Sequence, residues 1–229
     1  MEPLISIVIP VFNRAEIFTK SLQSALAQDY TNTEIIVVDD GSLPAISVAH
    51  SKVNVIRQPN RGAAAARNRG AKEASGEYLL FWDADLLAKK NFVTSLYLVL
   101  KHNPNASYAY SDFKLGNKTM RAQMFNGEAL KKTNYISANS LIKKSDFAEF
   151  DETLKRFQDW DLWLRLLEQN KTGVYVPEIL FTAVPGGTMS AWLPSFAYHA
   201  PFKWLPGIRT RVKQYEQARQ IILQKHGLL

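Results

Sequence analysis

Short apolar runs alternate with longer stretches of helical periodicity along most of this chain. Residues 4–9 form a β-branched run ended by Pro10, and residues 34–38 form a second, closed by Asp39-Asp40-Gly41-Ser42. Runs that are apolar at nearly every position suit parallel strands covered on both faces, because neither side meets water. Between them, residues 15–28 carry Ile17, Phe18, Leu22, Ala25 and Leu26 at helical spacing. This predicts a strand-helix-strand unit with a right-handed crossover. The alternation continues with a strand over 53–57, an alanine-rich helix over 62–75 and a strand over 77–82. A helix over 89–101, a strand over 107–113 and a strongly amphipathic helix over 160–169 follow. Two short strand-like stretches after Gly173 lead to a terminal helix over 207–226. Such a sequence predicts one α/β domain built on an open, doubly wound, mostly parallel twisted sheet with helices on both faces.

Composition narrows the chemistry. With 46% hydrophobic and 21% charged residues the chain can fold around a core, which excludes wholesale disorder. The absence of cysteine excludes disulfides, thiolate metal sites and thiol nucleophiles and fits a reducing, cytoplasmic setting. No basic-then-apolar leader opens the sequence. A formal charge of +7 invites a nucleic-acid reading, but six basic side chains against one acid fall within residues 203–229. The imbalance belongs mainly to the tail, and the acidic strand ends would repel phosphates without a metal, so no nucleic-acid partner is expected.

In open α/β sheets ligands bind beyond the carboxyl ends of the strands. Here those ends read Asn13-Arg14, Asp39-Asp40, Asn60-Arg61 and Asp83-Ala84-Asp85. Two carboxylates two residues apart on an extended chain point to one side and repel unless a cation joins them, and hard oxygen donors suit Mg²⁺ or Mn²⁺. A lone D-x-D is equally compatible with a capping turn before the next helix. Asn60-Arg61-Gly62 opens the alanine-rich helix, whose free N–H groups attract anions, with Arg67 and Arg69 adding charge. Asp39 or Asp40 suits a base edge or ribose hydroxyl, and Phe12 offers a stacking face; a turn aspartate and a core aromatic are the plain alternatives.

Taken together, Pro10-Val11-Phe12-Asn13-Arg14, Val38-Asp39-Asp40-Gly41-Ser42, Asn60-Arg61-Gly62 with Ala66-Arg67-Asn68-Arg69-Gly70, and the stretch from Gly76 to Asp85 resemble the successive motifs of family 2 glycosyltransferases. The resemblance runs from about Pro3 to Ser190. It implies the A-type glycosyltransferase fold and a single-displacement, inverting transfer from a nucleoside-diphosphate sugar, expected to be a UDP-sugar, to a saccharide or lipid-linked acceptor. It also implies that Pro10, Phe12 and Arg14 line the nucleotide pocket, that Asp40 contacts the base and that Arg67 lies near the diphosphate. Asp83 would lie near the ribose or metal, and Asp85 would be the principal ligand of Mn²⁺ or Mg²⁺. Gln158-Asp159-Trp160-Asp161-Leu162-Trp163-Leu164-Arg165 resembles the family's E-D-x-D-L-W-L-R segment, which makes Asp159 the expected catalytic base, with helix capping as the plainer role.

Two positions depart from the pattern. Gln158 replaces the usual acid, and Pro185 of Pro185-Gly186-Gly187-Thr188-Met189-Ser190 stands where a histidine metal ligand is common, with His199 a candidate substitute. Residues 1–190 thus read as the catalytic domain. Residues 191–229 read as an aromatic-rich segment, with five aromatics between Trp192 and Trp204, followed by a basic amphipathic helix. Packing on the same domain, peripheral contact with the inner face of a membrane and a homodimer interface all suit that helix. Nucleotidyltransferase and dinucleotide-binding oxidoreductase readings fail on the first turn, P-V-F-N-R, which has neither the glycines of a dinucleotide fingerprint nor a glycine-rich anion loop. A catalytically silent, carbohydrate-binding relative stays open because of Gln158 and Pro185.

Overall fold

Strand β1 (Ile5–Val11) lies between β2 (Thr33–Asp39) and β4 (Tyr78–Phe81), and β3 (Val53–Arg57) pairs with β2; all three pairings are parallel. The structure, a computed structural model, describes residues 2–186, 205 and 207–229. Alternation along these strands assigns the two cores. Ile5, Ile7 and Ile9 join Ile35, Val37, Leu80 and Trp82 on one face, beneath α1 (Ala15–Leu26) and α3 (Phe92–His102). Val8, Ile36, Val38, Leu79 and Phe81 face α2 (Ala63–Glu73) and α5 (Gln158–Glu168) on the other. A period of two supplies both faces with apolar side chains, which is why these strands read as unbroken runs.

The second half of the sheet is mixed. β8 (Leu141–Lys143) runs antiparallel between β4 and β6 (Ala106–Leu115), and β9 (Thr172–Ala183) pairs parallel with β6. β5 (Leu86–Ala88) closes the far edge antiparallel to β9, and β7 (Lys118–Met120) folds back on β6. The order is therefore β3-β2-β1-β4-β8-β6-β9-β5. The two strand-like stretches expected after Gly173 are one strand. Ser111 faces Val176 and Asp112 faces Ile179, so Pro177 and Glu178 are looped out of register, as suits a proline that has no N–H for the ladder. Short helix α4 (Gly127–Lys132) is capped by the Asn126 side chain, which accepts from the Ala129 N–H at 2.8 Å.

Helix α6 (Ile208–Lys225) lies against α5. Ile222 and Leu223 are buried in the same core cluster as Trp160 and Trp163. Polar contacts reinforce this: Lys225 Nζ is 2.6 Å from both Asp151 Oδ2 and Asp161 Oδ1, and Arg219 donates to the Lys132 carbonyl. No helix among the described residues is long and apolar enough to cross a membrane.

Candidate functional site

The loops that leave β1 and β2 are laced together. Asn13, with φ of 51°, donates its N–H to the Ser42 hydroxyl oxygen at 3.0 Å, and its side-chain oxygen accepts from the Leu43 N–H at 2.8 Å. Asp39 is fully buried and accepts from the N–H groups of Ser42 and Ile46 and from Arg57. Burial opposes its charge, but those donors outweigh it and hold its pKa below the usual range. Asp40 accepts from Gln58 Nε2 and from the N–H groups of Arg61 and Gly62, at 2.8, 2.9 and 2.8 Å. Both aspartates therefore build the strand-end loops, and Asp40 fixes the turn that starts α2, where Gly62 takes a φ of 91°. Pro10 sits in β1 opposite Val38, and Phe12 is 45% exposed at the mouth of these loops.

The Asp83-Ala84-Asp85 segment is not extended: Leu86 N–H bonds back to the Asp83 carbonyl at 3.0 Å, closing a turn. The two carboxylates still feel one another, and both are already met by guanidinium groups. Arg67 Nη2 lies 2.6 Å from Asp83 Oδ1, and Arg14 Nη1 lies 3.0 Å from Asp85 Oδ2. The expected demand for a metal cation is thus partly met by the chain itself. Burial, then the Asp83 charge, push the Asp85 pKa up to about 6 against the pull of Arg14. Asn139, which sequence reading missed, grips Asp83 twice: its amide oxygen accepts from the Asp83 N–H at 2.9 Å and its Nδ2 donates to Oδ2 at 3.2 Å. Nothing local in Ser137-Ala138-Asn139-Ser140 announces a partner 56 residues away.

Arg67 also joins this carboxylate to the start of α5. It is buried, its Nη1 reaches Gln158 Oε1 at 3.4 Å, and its guanidinium carbon lies 5.3 Å from the centre of the Phe150 ring. Arg69 turns away instead, pairing with Glu73 on its own helix. Beside Gln158, Asp159 is partly buried at the first turn of α5, and its Oδ1 accepts from the Trp160 N–H at 2.9 Å. Removal of water raises its pKa above the usual value, against the pull of an Asn134 hydrogen bond and the Arg67 charge. Phe157, two residues before it, holds a left-handed conformation with φ of 59°.

A cleft of about 470 Å³ opens beside this cluster, lined by Asn13, Arg14, Lys20, Asp85, Pro185 and Gly186 among others. Arg14 Nη2 donates to the Gly186 carbonyl. Among the described residues no group of three histidine, cysteine, aspartate or glutamate side chains converges as a metal cage. Two hard carboxylates this close do fit Mg²⁺ or Mn²⁺ as part of a ligand set, the rest to be supplied by oxygens of a bound ligand and water. His199, residues 187–190 of the Pro185 motif and the aromatics from Trp192 to Trp204 lie outside the described residues.

Residues 6–158 match the family described as Glycosyl transferase family 2. The chain belongs to that family. The match embraces every candidate position of this glycosyltransferase from Pro10 to Asp85 and stops one residue before Asp159. An uncharacterised glycosyltransferase of Rickettsia conorii is 28% identical over 202 residues; the alignment takes 80% of this chain and 33% of the relative, so the chain spans about a third of that protein's length. Among solved structures, residues 1–349 of S. aureus TarS in complex with UDP-GlcNAc superimpose with a TM-score of 0.66 at 19% identity, covering 97% of this chain and 72% of that fragment. The mannosyltransferase PcManGT of Pyrobaculum calidifontis, in complex with GDP-Man and Mn²⁺, gives 0.65 at 17% identity, covering 97% and 70%. At such identities the likeness is one of fold, the A-type glycosyltransferase fold.

Proposed function

We propose that this glycosyltransferase moves a sugar from a nucleoside-diphosphate sugar, a UDP-sugar, to a hydroxyl of a saccharide or lipid-linked acceptor with inversion, and that Asp159 is the base. The observation that carries this reading is the Arg67 bridge. One buried guanidinium contacts both Asp83, past the end of β4, and Gln158 at the head of α5, which ties the strand-end carboxylate to the helix turn that carries Asp159 and supports reading the two as parts of one site. In the proposed step Asp159 takes the proton of the acceptor hydroxyl while that oxygen forms a bond to the anomeric carbon. The bond from that carbon to the diphosphate oxygen breaks at the same time, and the electron pair leaves with the nucleoside diphosphate. Arg14, Arg67 and the N-terminus of α2 would supply positive charge to the departing diphosphate. Asp85 and Asp83 would hold Mn²⁺ or Mg²⁺, which when bound supplies charge stabilisation for the diphosphate. Phe12 and Pro10 would flank the base, beside the turn that Asp40 braces. The nucleotide-sugar complexes of TarS and PcManGT, proteins of the same fold, support the donor class, UDP-GlcNAc in one and GDP-Man in the other.

Asp159→Asn tests the base. It preserves shape and removes basicity, so turnover should fall by roughly 10²–10⁴-fold with UDP affinity unchanged. Near-normal turnover would dismiss Asp159 as base and leave it a helix-start residue, a place where asparagine serves as well. For the metal, calorimetry of UDP with Mn²⁺ and with chelator should give affinities that differ, and Asp85→Asn should remove the difference.

A further inference from the structure

We infer that the C-terminal helix α6 is part of the machinery that aims Asp159, with Tyr215 and Lys225 acting as positioning residues through Phe157 and Asp161. The inference rests on the reading of Asp159 as base. Asp159 stands between two points that α6 grips, one two residues before it and one two residues after. The first is Phe157, whose ring meets Tyr215 edge-on at 5.3 Å and Trp160 at 5.6 Å. Its left-handed backbone is one a phenylalanine adopts only where surrounding contacts impose it. Its side chain offers no capping hydrogen bond, so the local sequence does little to fix where α5 begins.

The second grip is on Asp161, wholly buried, which takes Lys225 Nζ at 2.6 Å, His226 Nε2 at 3.0 Å and, from its own helix, Arg165 Nε at 2.9 Å. Lys225 bridges onward to Asp151, and His226 to Glu168 at 2.6 Å. Burial works against the Lys225 charge, yet the bonds it donates to Asp151 and Asp161 outweigh it and raise its pKa. Beside the apolar surface that Val212, Ile222 and Leu223 cover, the partly exposed Lys225 ammonium sits on a wholly buried carboxylate, so moving α6 away would leave the Asp161 charge short of a partner. The polar grip falls on the helix that carries Asp159, and the aromatic grip on its first turn.

The test uses the full chain with UDP as the binding probe. Tyr215→Ala should lower kcat by about 10- to 100-fold, the scale of a small misplacement of a reacting group, while donor KM and UDP affinity stay within about twofold. Tyr215→Phe, which keeps the ring edge, should restore kcat. Lys225→Met should lower kcat in the same way, and Lys225→Arg should recover part of it. In an Asp159→Asn background Tyr215→Ala should add no further loss, because both act on one group. Thermal unfolding of each variant separates aiming from stability. The inference fails if Tyr215→Ala and Lys225→Met both keep full kcat, if kcat and UDP affinity fall together with the melting temperature, or if the double variant multiplies the two losses. A dead Asp159→Asn beside a fully active Tyr215→Ala removes this inference alone, whereas an active Asp159→Asn removes the base assignment beneath it.

Discussion

Single carboxylates in this protein differ by what surrounds them. Asp39 is held ionised by converging donors, whereas Asp159 and Asp85 are pushed toward their neutral forms, chiefly by burial. The base proposed at Asp159 works only when ionised, so on that reading turnover should rise with pH through its raised pKa. The acid limb of a kcat/KM profile should accordingly lie above the ordinary aspartate value of about 4. Asp85 has a consequence for stability, and the sign follows from its raised folded value. Its contribution is fully present below the unfolded pKa of about 4 and is lost as pH rises through about 6. Urea midpoints of the ligand-free protein should therefore carry a downward component between those pH values, which Asp85→Asn removes and Mn²⁺ with UDP reverses.

Elements show where the fold was legible and where it was not. β1, β2 and β4, with α1 and α2, were readable because buried parallel strands are apolar throughout and their crossover helices keep a clean period. β5, β7 and β8 have three residues each, too few for any period to show, and they are held by partners far along the chain. The site divides in the same way. Strand ends gave Arg14, Asp40, Asp83 and Asp85 their position, but the pairings of Arg14 with Asp85 across 71 residues and of Asn139 with Asp83 across 56 are products of the folded topology. One element-level prediction concerns Gly70, which lets α2 lie close on β1. A Cβ there would sit 2.3 Å from Val8 Cγ1, so Gly70→Ala should destabilise the protein by roughly 1–3 kcal/mol despite alanine's better helix propensity, read as a lower urea midpoint.

At the scale of the molecule, α6 belongs to the core, because Ile222 is completely buried and Leu223 nearly so. Deleting residues after 206 should therefore lower the melting temperature markedly, in contrast to the near-silent loss expected of a helix that touched only a membrane. The ionic seam adds a pH signature. Lys225, helped by Thr153, draws the Asp151 pKa down to about 2. The stability so gained is present above the unfolded value of about 4 and is lost as pH falls through about 2, and Lys225→Met should flatten that acid slope. Finally, the guanidinium groups that already hold Asp83 and Asp85 make the cleft behave like a loaded ion exchanger. The diphosphate of the proposed donor would find these cations in service elsewhere, so each ionic bond it gained would be traded for one given up. Donor affinity should therefore weaken less on raising ionic strength than a protein of charge +7 would suggest.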